Sequence, residues 1–241
     1  MQRLKINGFN APVTINLHLV SGAAYSQAAG IMIKLLTLLA VKFIIYKGVD
    51  VGYFVGAYAT SPAGVKWDPE AEQAYFQQLK AFGNIQGLEH PFTGSLHQHD
   101  DEWFIANIDP SWQFVFTCVP GIMGALAQNP QFGIASDDEA GRQEALDFMQ
   151  KACDAIGKLN SASGKPCVRA IEIQTAPDRS KASSSAKALK ASLETMLSWD
   201  WHGAEIIIEH CDALVPEHEH AKGFLSLEDE ITVVQELNNS L

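Results

Sequence analysis

Two stretches, Val168-Arg-Ala-Ile-Glu-Ile-Gln174 and Ala204-Glu-Ile-Ile-Ile-Glu-His210, decide how this chain is read. Each is a β-branched run followed by a helical pattern, which is how a parallel strand of an α/β protein reads. Each also brings polar side chains to its C-terminal end, where such folds carry their chemistry.

The same beat extends upstream. Val51 to Tyr58 reads as a first strand. Asp68-Pro69 then supplies an N-cap and an N1 proline, and Tyr75, Leu79 and Phe82 mark one helix face. Ile85 to His90 is a second strand, with a short helix from Glu102 to Ile108, and Trp112 to Val119 is a third, with a long loop expected after it. Ser136-Asp-Asp-Glu139 reads as a capping box opening a helix whose apolar positions are Ala145, Phe148, Met149, Ala152, Ile156 and Leu159. Leu189, Leu193, Met196 and Leu197 mark the next helix, and Ser226 is expected to cap a last one.

Five βα units at this spacing suit right-handed crossovers. No Gly-x-Gly-x-x-Gly or Walker sequence follows a strand, which disfavours a nucleotide fold. A (β/α)8 barrel needs about 250 residues, and only 191 follow position 50. The expected fold is therefore an incomplete (β/α)8 TIM barrel over residues 51–241, preceded by an extension over 1–50.

Within the extension, Val13 to Leu19 alternates as a strand does, and residues 30–46 are strongly apolar. That run is short for a bilayer span and contains Lys34 and Lys42, so a membrane anchor is disfavoured. The extension is expected not to pack as part of the barrel. A barrel stopped after five strands would leave two unpaired edges, so self-association is expected.

Strand parity assigns the inner face. With Ile206, Ile208, Ile171, Ile173 and Leu88 turned toward helices, Glu209, Gln174, Glu172 and Glu89 turn inward, as does Thr117. Glu209 and Glu89 are the candidate catalytic carboxylates, since close like charges and partial burial raise one pKa and enable proton exchange. Gln174, Thr117, His97 and Trp67 are candidate substrate contacts, with Trp67, Trp103 and Phe92 available to stack on a sugar or to close the core. His97, His99, His218 and His220 lie in two loops on the same rim, and imidazole with carboxylate suits zinc or manganese. His210 faces outward by parity and reads as a packed or capping residue.

Net charge is −11, and the basic residues are scattered, which excludes a nucleic-acid backbone as partner. The four cysteines lack Cys-x-x-Cys spacing and read as free thiols in a reducing cytoplasm.

Val-Gly-Ala-Tyr-Ala (55–59), Gly-Leu-Glu-His-Pro-Phe-Thr-Gly-Ser-Leu-His (87–97), Ile-Glu-His-Cys-Asp (208–212) and Lys-Gly-Phe-Leu-Ser-Leu-Glu-Asp-Glu (222–230) resemble an uncharacterised bacterial family of xylose-isomerase-like TIM barrels. The resemblance covers 51–241 and none of 1–50. It implies a sugar or sugar-phosphate isomerase or epimerase, with a carbohydrate-like substrate and a divalent metal (Mn, Mg or Zn). Glu209 resembles the strand-end glutamate that binds metal in that superfamily, whose other ligands come from later strands. The alternative is a non-catalytic carbohydrate-binding barrel or an inactive truncated product.

Overall fold

Regularly spaced β-branched runs lay the strands side by side. In a computed structural model of the chain, β1 (Val13–Leu17), β2 (Tyr53–Val55), β3 (Ile85–Pro91), β4 (Gln113–Thr117), β5 (Val168–Ile173) and β6 (Glu205–His210) form one sheet. Its order is β2-β3-β4-β5-β6-β1, and every neighbouring pair is parallel. The structure describes residues 13–17, 53–56, 58, 61, 66–83, 85–175, 177–178, 181–210 and 227–239. Among these, the helices are α1 (Pro69–Ala81), α2 (Asp101–Asn107), α3 (Val119–Gln128), α4 (Glu139–Ser163), α5 (Ala186–Leu197) and α6 (Leu227–Asn239). From β2 to β6 strands and helices alternate and consecutive strands are neighbours, the order found along a barrel wall.

The helix-facing side of the sheet is the core. Ile171, Ile173, Ile206 and Ile208 are buried in one cluster with Met149, Ile156 and Leu159 of α4 and Leu189, Leu193 and Met196 of α5. Each such side chain contributes about 1.5–3 kcal/mol by leaving water. Helix starts follow local chemistry. The Asp68 carboxylate accepts from the Glu70 and Ala71 N–H groups ahead of Pro69 at the first helical position. At α4 the cap is Asp138, which accepts from Gly141 N–H, whereas the Ser136 hydroxyl accepts from Asp138 N–H one turn earlier.

Several expectations are corrected. The stripe of α1 is Glu72, Phe76 and Leu79, while Phe82 is 73% exposed, because the helix is rotated so that the i, i+4, i+7 row faces inward. The long loop expected after the third strand is largely α3, opened by Pro120 in its first turn. Gly121 lets α3 lie close to its neighbours: a Cβ there would come within 2.6 Å of the Phe92 carbonyl oxygen.

The largest correction concerns the extension. Val13–Leu17 is a strand, and it pairs with β6 in the register Val13↔Ile206, Ile15↔Ile208 and Leu17↔His210. The expectation that the extension does not pack as part of the barrel fails for this segment, and β6 is not an edge. Unpaired N–H and C=O groups make a strand edge a template for association. Deleting residues 1–17 should uncover the β6 edge and shift size-exclusion elution toward larger species. An unchanged monomer peak would show that β1 does not protect it. The apolar run 30–46, Cys211, Glu217, His218, His220 and Ser226 lie outside the described residues. Among the described residues, no helix is long and apolar enough to cross a membrane, and Cys118, Cys153 and Cys167 are free and buried.

Candidate functional site

Strand register brings the inward polar residues onto one face. Glu89, Val115, Ala170 and Glu205 form one row across the sheet, and Thr117, Glu172 and Ile207 form the next, toward the strands' C-terminal ends. Beyond them, Gln174 Nε2 donates to Glu209 Oε2 at 2.6 Å, with both side chains buried. Thr117 is buried between Pro91 and Glu172 in the register, and its carbonyl accepts from Phe92 N–H at 2.8 Å.

Tyr58, which follows β2, ties this face together. Its phenol is raised above the ordinary value by burial first, then by the negative charges of Glu89 and Glu209, by its hydrogen bond to Glu89 and by the charge of Glu172. The hydroxyl therefore stays protonated and donates to the Glu89 carboxylate. A Cβ on Gly56 would fall 2.7 Å from Glu89 Oε2, so glycine there makes room for the carboxylate. Converting Glu89 to glutamine should bring the Tyr58 titration down toward that of an ordinary tyrosine, since charge and acceptor both weaken. A tyrosine titration that does not move would disprove the coupling.

His97 and Trp67 belong to a second cluster, built on Glu72 of α1. Trp67 Nε1 donates to Glu72 Oε2 at 2.7 Å, and Ser61 Oγ donates to Oε1 at 3.4 Å. His97 Nε2 lies 3.4 Å from Glu72 Oε2, close but not aligned as a hydrogen bond. Burial works against the Glu72 charge, yet the His97 imidazole, the Trp67 indole and the Ser61 hydroxyl outweigh it and hold the carboxyl below its ordinary value. Trp67 is stacked on His99 with ring centroids 5.2 Å apart and meets Trp103 edge-on at 5.4 Å. Phe92 is fully buried. Phe92 therefore closes the core, while Trp67 and Trp103 are half-buried.

The two clusters meet at a cavity of about 350 Å³ at the C-terminal end of β3, whose lining includes Tyr58, Glu72, Glu89, His90, Thr93 and His97. Of the candidates named from sequence, Glu89 and His97 line it. Gln174 and Glu209 lie farther along the sheet, joined to it through Tyr58. His210 faces outward as expected, where its Nδ1 meets Glu230 Oε2 of α6 at 2.8 Å. Sequence reasoning missed Tyr58, Glu72 and His90. The signals were present: Glu72 stands four residues before Phe76 on the buried stripe, and His90 alternates with Leu88 on the helix-facing side of β3.

Among the described residues, no three His, Cys, Asp or Glu side chains converge as a metal site would require. His97 Nδ1 accepts from the N–H groups of Asp100 at 3.0 Å and His99 at 3.4 Å, which leaves the ring proton on Nε2.

Fold and site together define an α/β protein with consecutive parallel strands and a carboxylate-lined face at their C-terminal ends. The chain belongs to the family described as Domain of unknown function (DUF4862), whose model matches residues 54–240. It is similar to Uncharacterized protein STM3670 of Salmonella typhimurium, 31% identical over 195 residues, which is 80% of this chain and 62% of that protein. The chain thus spans less than two thirds of that relative's length. No solved structure matches.

Proposed function

We propose that this face binds a small carbohydrate-like molecule and moves a proton beside its carbonyl, as an isomerase or epimerase of the xylose-isomerase-like barrel type does. The observation that supports this reading most is the pair of carboxylates, Glu89 and Glu209, each held by a neutral donor, Tyr58 and Gln174 respectively. A carboxylate oriented by an amide N–H presents its remaining lone pairs in a fixed direction toward a substrate proton. A protonated phenol nearby donates to oxygen as negative charge develops there in an enediolate. Glu209 is the proposed base, Gln174 orients it, and Tyr58 with Glu89 is the proposed donor pair. No step is routed through a metal.

The test is hydrogen–deuterium exchange at the carbon next to the carbonyl, followed by NMR in D2O over a panel of aldoses and ketoses. Glu209→Gln keeps the volume and an acceptor for Gln174 while removing the charge. Exchange should fall by about 10²-fold or more, as expected for loss of a general base, with an unchanged thermal midpoint. If the wild-type chain exchanges no proton in any sugar, the reading fails. If the variant unfolds, Glu209 is a structural plug.

A further inference from the structure

We propose that the cavity at the end of β3 selects an uncharged polyhydroxy ligand and rejects its phosphorylated counterpart. This rests on the carbohydrate reading above and specifies its substrate class. Three observations carry it.

The first is charge. The cavity lining includes the carboxylates of Glu72 and Glu89 and, among the described residues, no lysine or arginine. His90 adds no positive charge there: burial holds its pKa down to about 4, and its Nε2 hydrogen-bonds the Leu96 carbonyl. A phosphate wants cationic forks or clustered N–H donors. Here it would meet two carboxylates instead.

The second is a loosely held donor. His97 is 6% exposed and lines the cavity, and its Nε2 meets only the Glu72 carboxylate, at 3.4 Å and poorly aligned. Because Nδ1 is engaged by two backbone N–H groups, Nε2 carries the ring proton. A buried N–H held only by so long a contact is under-satisfied, so a ligand oxygen placed there would complete it.

The third is the combination. An N–H donor beside two carboxylate acceptors requires a group that accepts and donates at once. A hydroxyl does both, whereas a phosphate dianion accepts only. Two or three neighbouring hydroxyls on a small sugar would satisfy His97, Glu72 and Glu89 together. At about 350 Å³ the cavity has the size of a small-ligand site.

The experiment is calorimetric titration of the 241-residue chain with D-xylose, D-glucose and D-fructose, and with glucose 6-phosphate and fructose 6-phosphate. At least one free sugar should bind, and a hexose phosphate should bind about tenfold or more weakly than its parent, since like charges in an interface cost several kcal/mol. In Glu72→Gln that ratio should narrow, because one repelling charge is gone. His97→Phe keeps the stack on Phe104, whose ring lies 5.6 Å away and nearly parallel, and removes the donor together with the Nδ1 acceptor of the Asp100 N–H, so its thermal midpoint is measured alongside its affinity. Free-sugar affinity should then fall by roughly tenfold, the worth of a good hydrogen bond. A phosphate that binds as well as its parent sugar, or a His97→Phe chain with undiminished affinity, overturns the proposal while leaving the carbohydrate reading in place. If neither kind of sugar binds, both fall.

Discussion

A Gly87→Ala chain is expected to lose more than about 3 kcal/mol of stability, beyond the usual cost of overpacking a core. Its thermal midpoint should drop by roughly 6–12 °C, the scale for a domain of this size. The reason lies in how β3 and β4 approach. Gly87 is paired with Gln113 in the ladder, and a Cβ built on it would lie 1.7 Å from the Gln113 carbonyl oxygen. No side chain can swing aside to relieve this, because the obstacle is backbone held in the sheet. The strands would have to part, and the rows that set Glu89 beside Val115 would slip with them. Gly56→Ala is the contrast, since its Cβ meets only the far end of the Glu89 side chain. Circular-dichroism melts of the two variants decide the matter. A Gly87→Ala midpoint within about 2 °C of the wild type would mean that the close approach relaxes cheaply.

Acid should weaken the protein well before its carboxylates are neutralised. His90 sits between Phe104 and Phe116, with ring centroids 4.5 and 5.4 Å away, and burial lowers its pKa from 6.5 to about 4. The unfolded chain therefore takes up a proton at this position near pH 6.5 while the folded chain refuses it until about pH 4. A group whose folded pKa is depressed in this way, and whose charged form is the protonated one, stabilises the fold least in acid. Stability is intact above pH 6.5, falls as the pH drops through this window, and levels off below the folded pKa. The loss across the window is about 3 kcal/mol, at 1.36 kcal/mol per pKa unit. Denaturant titrations at pH 7 and pH 4.5 measure most of it. His90→Gln keeps an N–H for the Leu96 carbonyl and cannot titrate, so its stability should vary much less between those two values. An equal pH dependence in both chains would assign the effect elsewhere. Glu72 is separable because its lowered pKa places its own loss below the ordinary carboxylate range.

What was legible in the sequence follows from how strong each local period is. The runs at 168–174 and 204–210 fixed two strands, their parallel sense and the inner parity of Gln174 and Glu209, because burial on the helix-covered side leaves no other reading of Ile171, Ile173, Ile206 and Ile208. The α4 and α5 stripes were equally clear. Helix α3 was not, since proline and two glycines in Val119-Pro-Gly-Ile-Met-Gly124 imitate a loop, and only the tight approach to Phe92 explains why glycine is needed there. The alternation at Val13–Leu17 announced a strand, but nothing local names the strand it joins. The second half of the site was hidden for the same reason. Glu72 and His97 lie on different elements, and no spacing rule links a helix carboxylate to a loop imidazole.

The seat of β1 also sets a schedule. Strands β2 to β6 are laid down in the order in which they neighbour one another, so each can dock on the one before it as the chain is made. Ile15 instead waits for Ile208, across nearly the whole sequence. At about 5–20 residues per second of synthesis, that interval is roughly 10 to 40 s. Although it is made before β6, β1 can be seated only after β6 exists. Joining segments so far apart in sequence adds little entropic cost beyond joining nearer ones, because the cost grows only with the logarithm of their separation. The burden is one of time: a strand-forming segment must stay uncommitted while its partner is still being translated.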